Sequence, residues 1–320
     1  MYKLENKFTR ICDEAEKKCK NLERFPGYFS FKKAETLLVV NKAGPIATEP
    51  ILEIGCGTGF QSLLLSECGD WLVSTDLPNF STATHTVGIR DAKEMALRLN
   101  TSKVKHLGCS ILNLPFKDGA FGCVFSSGVL EHIYDKNAAL KEMKRVLKNN
   151  GSIICSVPTY MQTIFQFPAL YFYMARRGYD TIRNRLFKKD TGQRSIFSNT
   201  TVEETGRGVG KLIKIFLLNN PNFPLPCPHG DWRDKKGKQS IFVEFHEQLP
   251  WKWKKMFISN GLSVKKSFAV LFIPFMIIEI FSPQLLAKIY YNTQFLHRKF
   301  GASFLKYFAF SICYVLKKHD

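Results

Sequence analysis

The sequence predicts an α/β protein built on a doubly wound, mostly parallel seven-stranded sheet, with N-terminal helices and helical cap insertions. Three observations carry this. From residue 51 to residue 157 short apolar runs bounded by turn residues alternate with helical periodicity. The run Ile51-Leu52-Glu53-Ile54 passes directly into Gly55-Cys56-Gly57-Thr58-Gly59, a strand turning tightly into a helix. The alternation breaks at Pro158 and resumes at Pro250.

The elements follow in order. Residues 1–45 read as two helices, Lys3–Leu22 and Phe29–Lys42, the second stopped by Gly44-Pro45. Residues 46–158 form a core. Strand Ile51–Ile54 leads to helix Gly59–Glu67, and strand Trp71–Thr75 to helix Ile89–Leu99. Strand Val104–Cys109 precedes a loop with Leu114-Pro115-Phe116. Strand Gly122–Ser126 leads to helix Lys136–Leu147, a turn at Asn149-Asn150-Gly151 and strand Ser152–Val157. Residues 159–249 read as a substrate-cap insertion, with a helix from Pro168 to Gly178, a basic stretch Arg183–Lys189 and a Pro-rich turn Pro221–Pro228. Residues 250–320 return to the sheet through helix Trp251–Ser259, strand Leu262–Phe268 and strand Phe308–Leu316. An apolar helical insertion interrupts them at about 271–305.

Composition narrows the function classes. Met1–Lys20 is charged throughout, unlike a secretory leader, so the expectation is a cytoplasmic protein, peripheral at most on the inner face of a membrane. The apolar run Phe268–Phe281 contains Pro274 and Glu279 and is too short to span a bilayer. Nine scattered cysteines read as reduced, buried thiols, and Cys227-Pro228-His229 lacks the second pair that a metal site needs, so no metal is expected. The net charge of +19 is uneven: residues 1–150 carry +4 and residues 151–320 carry +15. A field of that sign favours phosphates, nucleic acid or anionic lipid head groups.

Phe60 stands where a G-x-G-x-x-G dinucleotide loop would require its last glycine. The stretch E-x-G-x-G-x-G (Glu53 to Gly59) instead resembles the first motif of class I S-adenosylmethionine-dependent methyltransferases. Two further segments resemble the type 11 methyltransferase domain. Ser110-Ile111-Leu112-Asn113-Leu114-Pro115-Phe116 is similar to its D-x-x-x-L-P-F, with Ser110 in place of the acid and Gly122 in place of the acid that opens the fourth strand. Ala139-Leu140-Lys141-Glu142-Met143-Lys144-Arg145-Val146-Leu147-Lys148 is similar to its A-L-x-E-x-x-R-V-L-K. The resemblance covers residues 48–158, and more weakly 250–268. It implies a Rossmann-like methyltransferase fold with S-adenosyl-L-methionine as cofactor.

The resemblance also implies a cofactor site. Gly55, Cys56, Gly57, Thr58 and Gly59 would cradle the methionyl end, with Glu53 receiving its ammonium directly or through water. Asp76, which closes the second strand with Leu77 beside it, would accept both ribose hydroxyls. Ser110 would bond the adenine amino group, Ile111 and Leu112 would sandwich the ring, and Ser126 and Ser127 close the site. His132 is the candidate general base, and His229 and His246 are candidates from the cap. Both insertions leave from the carboxyl edge of the sheet, so a basic, aromatic cap would cover the reacting methyl. That suits a glycan, a lipid-linked or another amphipathic small molecule, methylated on oxygen, with an anionic membrane surface as a further partner. Nucleic acid is less favoured, because no Asn/Asp-Pro-Pro-Tyr/Phe motif is present. A nucleic-acid methyltransferase, or a cofactor-fold protein that binds a partner or membrane without turnover, are the alternatives.

Overall fold

The structure, a computed structural model, describes residues 2–23, 27–44, 50–78, 80–81, 86–165, 231, 240–271 and 303–319. Seven strands form one sheet: β1 (Ile51–Ile54), β2 (Leu72–Asp76), β3 (Val104–Gly108), β4 (Phe121–Ser127), β5 (Leu147–Pro158), β6 (Leu262–Leu271) and β7 (Ser311–Lys318). Their order is β3-β2-β1-β4-β5-β7-β6, and β7 alone runs against its neighbours. The described helices are α1 (Tyr2–Lys18), α2 (Tyr28–Ala43), α3 (Phe60–Leu65), α4 (Ile89–Arg98), α5 (Lys136–Val146), α6 (Ile241–Glu247) and α7 (Pro250–Ser259).

The central strands are buried along nearly their whole length because both faces are covered, with polar side chains such as Glu53 and Ser74 buried among the apolar ones. All four residues of β1 are buried. Its pleat splits them: Ile51 joins the core cluster under α1, α2 and α3, whereas Leu52 and Ile54 join the cluster under α5 and α7. In α7 the spacing of Trp253 and Phe257 puts both rings on one face. Both are fully buried, stacked at 6.0 Å, and the Trp253 indole donates to the Pro158 carbonyl at 3.0 Å. Burying a ring of this size contributes on the order of 3 kcal/mol, which docks α7 on the end of β5.

The expected doubly wound sheet is present. Several boundaries differ from the sequence reading, among them the end of β6, which runs to Leu271 rather than Phe268. Helix α5 ends at Val146, and β5 starts at Leu147 and runs through Asn149-Asn150-Gly151, whose sequence reads as a turn. Leu147 pairs with Phe121 across a register irregularity that takes up the extra residues, so sheet pairing overrides local turn chemistry. The first helix stops at Lys18, with a short 3-10 turn at Lys20–Leu22. The last strand begins at Ser311, and Phe304–Phe308 is a 3-10 turn.

Pro158 and Leu271 both pair with Ser311, so β5 and β6 end on the same carboxyl edge of the sheet. The cap expected at 159–249 falls within the described residues only at 159–165, 231 and 240–249. Of the insertion expected at 271–305, the described part is Leu271 and 303–305. Among the described residues no helix is long and apolar enough to cross a membrane. The eight described cysteines are free thiols, six of them buried.

Candidate active site

A cleft opens at the carboxyl ends of β1, β2 and β4, the place where an open α/β sheet leaves room for a ligand. Its floor is the loop between β1 and α3. That loop is pinned to the end of β2: Gly55 and Cys56 N–H donate to the Thr75 carbonyl at 2.8 and 3.1 Å, and Gly57 N–H to Asp76 Oδ2 at 2.7 Å. Gly57 and Gly59 both have positive φ, +54° and +80°. A Cβ at Gly57 would meet nothing within 4 Å, so this side of the loop is open to a ligand. A Cβ at Gly59 would meet the α4 backbone at Ala92 Cα, 2.7 Å away.

Asp76 forms one wall. Oδ2 takes the Gly57 N–H and Oδ1 the Leu77 N–H, each at 2.7 Å. A carboxylate oxygen has two acceptor sites, so each retains one for a ligand hydroxyl. Burial pushes the carboxyl up, and the two backbone donors pull it back down. Cys109, Ser110 and Ile111 form the adjoining wall. Ser110 Oγ accepts the Leu112 N–H at 3.2 Å and keeps its own proton.

This wall is held from behind by α5. Arg145 donates to the carbonyls of Leu114 (2.9 Å) and Phe116 (2.7 Å) and to Asp118 (2.8 Å), while Glu142 accepts the Leu114 N–H at 2.9 Å and pairs with Arg145. The Glu-x-x-Arg spacing therefore places both side chains over the Leu-Pro-Phe loop, one turn apart on one helix face.

The far rim comes from α2 and from the segment after β4. Tyr28 and Lys32 line the cleft, and Lys32 pairs with Glu35 at 2.6 Å. Ser127 Oγ donates to Glu35 Oε1 at 3.3 Å, which joins the rim across the mouth. His132 lines the mouth from a 3-10 turn, Leu130–His132, beside Val129 and Ile133.

Several expected site residues lie elsewhere. Glu53 is 2 % exposed and stands under α3, where Ser62 donates a short hydrogen bond to its carboxyl. The pleat of β1 aims residue 53 at that face, so its carboxyl does not line the cleft. Thr58 is buried against the Tyr28 hydroxyl at 3.3 Å, Gly59 packs on α4, and Ser126 is buried in β4. Leu112 points outward, 43 % exposed, leaving Ile111 without it in the wall. His246 is outside the lining; its side chain is 59 % exposed and bonds Glu247 at 2.9 Å. His229 and Cys227 lie outside the described residues. Conversely, Tyr28, Lys32, Gln61 and Val129 line the cleft although no motif marked them.

One strap connects the inserted segment to the His132 turn. Asp231 N–H donates to the Glu131 carbonyl at 2.7 Å, and the buried Lys136 ammonium donates to the carbonyls of Ile133 and Asp231, both at 2.7 Å. Burial brings the Lys136 ammonium down to about 8, opposed by the carboxylates of Asp231, Glu131, Glu247 and Glu244. Lys136→Met is expected to release the strap. Hydrogen exchange at the Asp231 amide should then quicken by at least about tenfold. Unchanged protection would show that Lys136 does not hold it.

A second hollow lies at the opposite, amino edge, between Lys141, Lys144, Arg145, Asn260 and Lys318. None of the glycine-loop, Asp76 or His132 groups reaches it.

The middle of the chain is similar to known proteins. A family model described as a methyltransferase domain matches residues 52–155. A demethylmenaquinone methyltransferase of Bacillus velezensis is 28 % identical over 174 residues, which cover 52 % of this chain and 71 % of the relative. One of Shouchella clausii is 31 % identical over 156 residues, 49 % of this chain and 64 % of the relative. Among solved structures, a SAM dependent methyltransferase from Aquifex aeolicus is 19 % identical, with 44 % of this chain and 71 % of that chain covered and a TM-score of 0.36.

Proposed function

We propose that this chain is an S-adenosylmethionine-dependent methyltransferase, with the methyltransferase domain at residues 52–155, and that its carboxyl-edge cleft transfers a methyl group to an amphipathic small molecule. The observation that carries this is the convergence of the glycine loop, Asp76, the Ser110–Ile111 wall and His132 on one cleft.

The residues fit the cofactor. The open side of Gly57 admits the methionyl end, and the free acceptor sites of Asp76 suit two ribose hydroxyls. Ser110 and Ile111 offer a polar and an apolar surface to the base. Lys32 and Ser127, both held by the buried Glu35, offer a cation and a hydroxyl to an amino-acid group at the rim. The bound cofactor supplies a methyl group on a cationic sulfur, already activated for displacement. The protein's task is then to align the acceptor, exclude water and take up a proton. In this reading His132, at the mouth, receives the acceptor's hydroxyl proton.

Relatives named for demethylmenaquinone support a small, largely apolar acceptor rather than a polymer. The aromatic content of the chain, 28 Phe and 11 Tyr among 320 residues, suits such a molecule. Titration calorimetry with S-adenosylmethionine tests the site. The full chain should bind, and Asp76→Ala should weaken binding at least about tenfold, because two charge-assisted hydrogen bonds and the Gly57 anchor go together. No heat at millimolar cofactor would overturn the proposal. The acceptor itself is sought by mass spectrometry of lipid and glycan extracts from cells with and without the protein, as a species lacking one methylene of mass.

A further inference from the structure

The carboxyl edge carries more than the cleft. Helix α7 begins there: Trp253 is tied to the Pro158 carbonyl, and the Pro250 carbonyl accepts the Tyr314 hydroxyl at 3.1 Å. Its inner face is Trp253 and Phe257. Its outer face opens with Trp251, Lys254 and Lys255, at the i, i+3, i+4 spacing that makes one stripe. Trp251 is 61 % exposed. An indole of that size facing water next to two lysines has no role in the core.

The 3-10 turn Phe304–Phe308, which feeds β7 at the same edge, repeats the composition. Phe304 is 71 % exposed, Phe308 53 % and Tyr307 45 %. Lys306 sits over the Tyr307 ring at 5.3 Å. Lys306 Nζ reaches the Ser267 carbonyl at 3.5 Å on β6, the strand that α7 runs into, and burial together with the like charge of Lys254 in α7 lowers the Lys306 ammonium. The two elements therefore form one surface, rich in exposed rings, with cations among them and no carboxylate in either element.

We propose that this surface, α7 with the Phe304–Phe308 turn, docks on an anionic lipid bilayer. Aromatic rings enter the interfacial layer while lysine stems let their ammonium groups reach phosphate. The positive charge of the second half of the chain, +15, acts in the same direction. Because the surface and the cleft share one edge of the sheet, docking turns the cleft mouth toward the lipid. This deepens the proposed function, since an amphipathic acceptor would then enter from the bilayer without crossing water.

Flotation of the full chain tests the surface, using vesicles of phosphatidylcholine alone or mixed with phosphatidylglycerol at low salt, with cofactor binding followed separately by calorimetry. The wild type should float with the anionic vesicles only. Lys254→Glu/Lys255→Glu and Trp251→Ser/Phe304→Ser should each lower the bound fraction at least about tenfold, with cofactor affinity kept. Lys144→Glu/Lys318→Glu, which removes the same charge from the opposite edge, should float within about twofold of wild type. The surface assignment falls if the wild type stays in the bottom fraction. It also falls if the opposite-edge variant loses as much, if the face variants instead dissolve a dimer of the chain, or if they weaken binding to duplex nucleic acid and not to vesicles. Flotation without cofactor binding would overturn the methyltransferase site and leave the surface standing, so the two readings fail separately.

Discussion

Gly59→Ala is expected to lower folding stability by about 2–5 kcal/mol, with the urea midpoint moved and the slope kept. Two terms combine. A left-handed φ of +80° disfavours a β-carbon by about 1–2 kcal/mol. The new methyl also sits 2.7 Å from Ala92 Cα and Cβ. The near atoms are helix backbone and a methyl with no torsion to relieve the clash, so α4 must shift, at about 1–3 kcal/mol. Gly57→Ala is the contrast. Its φ of +54° carries a similar conformational term, but nothing lies within 4 Å of the added carbon. Stability should fall by only about 1–2 kcal/mol, while the methyl occupies ligand space and S-adenosylmethionine binding should weaken at least about tenfold. Equal destabilisation by the two variants would contradict the loop geometry. Wild-type affinity in Gly57→Ala would show that this side of the loop does not face the ligand.

This contrast marks what was legible in the sequence. The glycine loop and the central strands were readable because both are locally dictated. A strand covered on both faces is mostly apolar, and the loop needs residues without a β-carbon at fixed places. Asp76 and the Glu142/Arg145 helix were readable for a related reason, since each sits at a set distance from a strand end. What lay beyond the sequence depends on long-range packing. Tyr28 and Lys32 enter the cleft rim from a helix that is otherwise mostly buried, and the local trace is a charged i, i+3 pair, Lys32 with Glu35, inside an apolar helix. Asn149-Asn150-Gly151 has the chemistry of a turn, yet the ladder to β4 draws the strand start back to Leu147. The resemblance pairs Leu112 with Ile111 around the ring, but neighbouring side chains in a loop need not face the same way.

Glu53 shows the same limit, and it gives the second large effect. Its position at the head of the motif suggested a ligand contact, whereas the pleat places it under α3 among Ser62 and Ser74. Burial is the dominant influence and raises its carboxyl to about 7, opposed by the Ser62 hydrogen bond and reinforced by the charge of Asp76. The sign follows from proton linkage. Near pH 6 the folded chain holds a proton on Glu53 that the unfolded chain has released, so folding is favoured by acid. The contribution is fully present below about pH 4.5 and is lost as pH rises through about 7. A shift of this size corresponds to about 3 kcal/mol. Glu53→Gln keeps the shape and an acceptor for Ser62 but cannot ionise. Relative to wild type it should therefore gain about 3 kcal/mol between pH 4.5 and pH 8, read as the difference of two urea-unfolding series across that range. A difference that stays flat with pH would mean that Glu53 ionises as freely in the folded chain as in the unfolded one. A gain in stability with weaker S-adenosylmethionine binding would show that the ionised carboxyl, though behind the loop, still acts on the ligand's cationic end through the field it sets across Gly55 and Cys56.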